Sequence, residues 1–112
     1  MGNKFLRVDD NEVLENLITS SRDRPVILFK HSNSCSISAA AYREMEHVNE
    51  DVRLVEVQSA RDVSREIASR TGVRHESPQV IIMRDGKAVW NASHYDVTAK
   101  AVAEALTRTV DR

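Results

Sequence analysis

The chain has 112 residues, 41% of them hydrophobic and 29% charged, which suits one soluble globular domain spanning 1–112 with a single core. Sixteen Lys and Arg against seventeen Asp and Glu give a formal charge of -1 with no block of one sign, so neither nucleic acid nor a membrane surface is an expected partner. No apolar run approaches the ~18–20 residues of a membrane span.

The opening, Met1-Gly2-Asn3-Lys4-Phe5-Leu6, lacks the apolar core of a signal peptide, and Leu6 stands where a myristoylation site wants Ser or Thr. Cys35 is the only cysteine, so no disulfide can form within the chain. One thiol without an export signal reads as cytoplasmic.

Asp9-Asp10-Asn11 offers N-cap residues, and Val13, Leu14, Leu17 and Ile18 follow at helical spacing, which predicts a helix over about 10–21. Pro25-Val26-Ile27-Leu28-Phe29 is a continuous apolar run of the kind found in a buried central strand. After the polar loop His31-Ser32-Asn33-Ser34 the period changes. Ile37, Ala41, Met45 and Val48 then predict a helix over about 36–49. Residues 52–57 read as a second strand. Ser59-Ala60-Arg61-Asp62 resembles a capping box before a helix that carries Val63 and Ile67 and stops at Gly72. Residues 79–83 form a third strand, Asp85-Gly86 a two-residue turn, and Ala88-Val89-Trp90 opens the fourth. Thr98 can cap a last helix with Ala99, Val102, Leu106 and Val110 on one face. The expected architecture is α/β: a three-layer sandwich with a four-stranded mixed sheet flanked by helices, one of them an extra N-terminal helix.

The chemical clue is Cys35, in the turn between the first strand and the helix that follows. The first turn of a helix offers unpaired N–H groups and the positive end of the dipole, and both favour a thiolate over a thiol. Ser38 lies one helical turn on, where its hydroxyl can donate to the sulfur. A buried apolar role is the alternative, disfavoured by the polar neighbours Asn33, Ser34, Ser36 and Ser38. His31, His47, His75 and His94 show no metal-ligand spacing, so no metal is expected. A cysteine hydrolase would need a distant base, with His75 the candidate, but no oxyanion device is evident. Arg43, Arg61, Arg65, Arg70 and Arg74 read as solvated faces rather than a phosphate cradle.

With Ser77-Pro78 opening the third strand, the chain resembles the thioredoxin fold over about 25–110. A redox cysteine starts the first core helix there, and a cis-proline faces it from the antiparallel strand. Lys30-His31-Ser32-Asn33-Ser34-Cys35-Ser36-Ile37-Ser38, followed by Ala39-Ala40-Ala41-Tyr42, is similar to the active-site segment of the monothiol bacilliredoxin family. Ser34 replaces that family's usual Thr and Ser36 its usual Pro; the second change restores an N–H and loosens the turn.

The resemblance implies a thiol–disulfide oxidoreductase acting on mixed disulfides between protein cysteines and bacillithiol. Cys35 would be the nucleophile, Ser38 and Ser34 its supports, and Ser77 and Pro78 the substrate-binding strand opening. No bound cofactor is implied. The partners are proteins carrying mixed disulfides, a low-molecular-weight thiol (bacillithiol as co-substrate) and an external reductase, because Ser38 stands where a resolving cysteine would. Two alternatives remain at this level: an iron–sulfur carrier of monothiol glutaredoxin type, and a non-catalytic stress or thiol-sensing module.

Overall fold

The computed structural model describes residues 4–110, so the myristoylation reading at Met1-Gly2 lies outside the described residues. In chain order the elements are β1 (Phe5–Arg7), α1 (Asn11–Ser20), β2 (Val26–His31), α2 (Ser36–Met45), β3 (Val52–Glu56) and α3 (Arg61–Thr71). They continue with β4 (Gln79–Arg84), β5 (Lys87–Ser93), a short 3-10 turn (His94–Asp96) and α4 (Ala99–Val110). The strands form one sheet in the order β1-β3-β2-β4-β5. β3 runs parallel to both β1 and β2, whereas β4 is antiparallel to both β2 and β5.

β2 sits at the centre with all six of its residues buried, its apolar run Val26–Phe29 continuing into the buried polar pair Lys30 and His31. Alternation splits the strand between two cores. Val26 and Leu28 pack with Leu14 and Leu17 of α1 and with Val63 and Ile67 of α3. Ile27 and Phe29 pack with Ala41 and Met45 of α2 and with Val102 and Ala105 of α4. A helix pair on each face makes the three-layer sandwich.

Local chemistry places the ends. The Asp10 carboxylate accepts the Val13 N–H at 2.9 Å and starts α1, and the Thr98 hydroxyl accepts the Ala101 N–H at 3.1 Å and starts α4. Gly72 takes the left-handed conformation (φ 72°) at the close of α3. Asp85 and Gly86 both have positive φ (56° and 75°), the turn that matches the twist of a two-residue hairpin.

Three expectations need correction. The sheet has five strands, not four: Phe5–Arg7 pairs with Val52, Arg53 and Leu54, and the Phe5 ring stacks on Tyr42 with centroids 4.5 Å apart. The capping box does not form. Ala60 is the N-cap of α3 without a side-chain bond, and the Ser59 hydroxyl turns back to the Glu56 carbonyl at 3.5 Å. α2 ends at Met45, earlier than residue 49, and the chain then tightens, with the Val48 N–H donating to the Met45 carbonyl at 3.2 Å.

Candidate functional site

β2 delivers the chain to Cys35. Past Phe29, alternation sends Lys30 toward α3 and His31 toward α2. The Val57 N–H donates to the His31 carbonyl at 3.0 Å, so the end of β3 follows β2 to the loop. There Gln58 holds residues 32–34. Its amide donates to the Ser32 and Ser34 hydroxyls at 2.7 and 3.0 Å, and its carbonyl accepts the Asn33 N–H at 3.3 Å.

Cys35 follows as the N-cap of α2, extended at φ -121° and ψ 127°, with its carbonyl accepting the Ala39 N–H at 3.0 Å. The thiol is half-buried and makes no capping bond. Ser38 does not donate to the sulfur as expected. It is fully buried, and its hydroxyl accepts the Ser32 N–H at 3.2 Å, which ties the loop to the first turn of α2. Ser34 is exposed and holds Gln58. Ser38 and Ser34 therefore shape the loop that ends in Cys35.

Ser77 and Pro78 stand at the same end of the sheet. The last β2–β4 pair is Lys30 with Gln79, and Pro78 is the next residue beyond it. The Ser77–Pro78 peptide is cis, as the resemblance implies. Pro78 is buried and its carbonyl accepts the His94 N–H at 2.9 Å. The Ser77 main chain makes no hydrogen bond among the described residues, and its hydroxyl is buried without a partner.

The two residues before the loop are buried in different company. Lys30 is fully buried, with Nζ 3.2 Å from His75 Nδ1, and the Ser64 hydroxyl lies 3.0 Å from that same nitrogen. Burial pushes the Lys30 ammonium down to about 8. His75 is also pushed below the usual histidine value, by lost hydration and then by the Lys30 charge, with Glu76 opposing. His31 lies between Phe29 and Tyr42, ring centroids 5.6 and 5.1 Å away, with Nδ1 buried and unpartnered. Burial lowers its pKa too, against weaker opposite pulls from Glu56 and the Ser38 backbone.

Gln58 and the Lys30–Ser64–His75 cluster are the features that sequence reading missed. The Lys30 signal was legible: a lysine at the position in β2 that continues the buried Val26–Leu28 face. Gln58 carries no such mark, since its role depends on where the end of β3 falls. Among the described residues, no group of three or more His, Cys, Asp or Glu is placed to hold a metal ion.

Comparison with known proteins bears on the family and the fold. The family model described as monothiol bacilliredoxin BrxC matches residues 7–102. A solved structure described as a candidate oxidoreductase with a thioredoxin fold is 33% identical, with 90% of this chain and 92% of that chain covered and a TM-score of 0.83. Thioredoxin from Fasciola hepatica is similar in fold at 16% identity and TM-score 0.73, covering 93% of this chain and 98% of its own. A thioredoxin from Nicotiana alata is likewise similar at 12% identity and TM-score 0.74, covering 97% and 95%.

Proposed function

The chain belongs to the monothiol bacilliredoxin family of thioredoxin-fold oxidoreductases, and on that footing we propose that Cys35 exchanges bacillithiol on protein cysteines. The observation that carries this reading is the placement of the chain's one thiol, half-exposed as the N-cap of α2 at the end of the sheet where Pro78 leads into β4.

The Cys35 thiolate attacks the small-thiol sulfur of a mixed disulfide on a substrate protein. A new disulfide forms between Cys35 and the small thiol while the old one breaks, and the substrate's sulfur leaves as a thiolate that takes a proton from water. Ser77 supports docking: its unpaired main chain, beside Pro78 at the loop end of the sheet, can pair with an extended substrate segment as an added strand. Ser34 and Ser38 keep the loop in register through Gln58 and the Ser32 N–H.

No second cysteine exists to resolve the adduct. An external thiolate attacks it instead, forms a disulfide with the departing small thiol and returns Cys35 as a thiolate, so the two electrons come from that external reductant. The low-molecular-weight thiol is a co-substrate, and no bound cofactor takes part. A single thiol that must stay reduced suits the cytoplasm, and no helix among the described residues is long and apolar enough to cross a membrane.

The test is Cys35→Ser. Transfer of bacillithiol from a modified model protein should vanish, and transfer that survives eliminates Cys35 as nucleophile. Ser38→Cys places a thiol one turn away, within disulfide reach along a helix, and should release the captured thiol as an internal disulfide closes.

A further inference from the structure

We propose that the cleft beside α3, between the loop after β3 and the His75 segment, receives the carboxylates of an acidic low-molecular-weight thiol while its sulfur is exchanged at Cys35. The inference rests on the exchange reading above and deepens it by naming what selects the small thiol.

The cleft has a volume of about 510 Å³, room for a small ligand, and no Asp or Glu lines it. Arg61 and Arg65 stand on its wall one helical turn apart. Ser64 and His75 also line it, and the Lys30 Nζ lies 3.2 Å from His75 Nδ1. Gln58 belongs both to the cleft and to the Cys35 loop, whose serines it holds at 2.7 and 3.0 Å. A ligand tethered by its sulfur to Cys35 therefore has this cleft as its neighbour.

The buried lysine is the second, independent sign. A buried cation needs a carboxylate partner or it destabilises the fold, yet no ion pair includes Lys30 among the described residues. Its partner is an imidazole, which neutralises nothing. An anion arriving in the cleft supplies the missing charge. The nearest acids stand at its rim: Asp62 reaches Arg65 only at 3.8 Å across open surface, and Glu76 lies 3.5 Å from His94. Arg61 carries no ion pair among the described residues. Carboxylates fit such a set of donors because arginine presents paired N–H groups to both oxygens at once.

The test compares two model proteins, one carrying a mixed disulfide with bacillithiol and the other with neutral 2-mercaptoethanol. The double substitution Arg61→Gln with Arg65→Gln, on the exposed face of α3, should slow transfer of the acidic thiol roughly tenfold and leave the neutral one unchanged. Lys30→Met, which keeps the core filled, should give the same selective loss. Equal slowing of both probes, or no change in either, overturns the inference while leaving Cys35 exchange in place. If wild-type Cys35 captures neither thiol, the exchange reading fails and takes the inference with it.

Discussion

Lys30 and His31 are adjacent on one strand, both buried, and they end in opposite surroundings. Lys30 enters the α3 side, where Ser64 and His75 meet it and a cleft opens beyond. His31 enters the α2 side, shut in by Phe29 and Tyr42 with one nitrogen unpartnered. One face of the sheet is thus polar and reachable at the end that carries Cys35, and the other is aromatic and sealed. The sealed face fixes the root of the loop, and the open face is where a ligand's charge can be met.

The largest effect should come from breaching the sealed face. Phe29→Ala removes a fully buried ring that both His31 and Tyr42 touch, and should cost about 3–5 kcal/mol of unfolding free energy in urea titration. A cost below about 1 kcal/mol would mean that this face does not anchor β2.

On the open face the sign reverses. Lys30→Met removes a buried ammonium without a carboxylate partner and should stabilise the protein by roughly 1–3 kcal/mol at pH 7. That gain should shrink as pH rises from about 8 toward 10.5, the ordinary lysine value. In that window the unfolded chain keeps the Lys30 proton while the folded chain has released it, so wild-type stability climbs relative to the variant. A difference that stays flat with pH would contradict a charged Lys30 in the fold.

The histidine should act on the acid side. Its pKa is depressed in the fold, so below pH 6.5 the unfolded chain takes up the His31 proton first and stability falls as pH drops. His31→Phe should flatten that limb by at most about 1.4 kcal/mol per pH unit, read from urea midpoints between pH 5 and 7. His75, lowered in the same direction, leaves a residual slope. The smallest effect belongs to a solvated cation. Arg70 reaches Glu15 across α1 and α3, with Nη2 to Oε2 at 3.0 Å, and Glu15→Gln should leave the urea midpoint almost unmoved.

Much of this architecture was legible before the structure. The apolar run 25–29 announced the central strand, Asp10 and Thr98 announced helix starts, and Asp85-Gly86 announced the hairpin. β1 was not legible because three residues are too few to show a period, and its pairing with β3 is a tertiary event. The capping box at Ser59 misled because Ser59 bonds back to the preceding turn and leaves Ala60 to start α3. At the site, Cys35, Ser34, Ser38, Ser77 and Pro78 all fall at one end of the sheet. What the residues alone did not show is that Ser38 serves the loop rather than the sulfur, and that Gln58 ties that loop to a cationic cleft. Both depend on which oxygen lies nearest after folding.

The central claim is that Cys35 takes the small thiol from its substrate. Intact-mass spectrometry of the reduced protein mixed with a bacillithiol-modified model protein tests it most directly. The account predicts that this chain gains one bacillithiol mass on Cys35 while the model protein loses it. An unchanged mass on Cys35, with the model protein still modified, would contradict it.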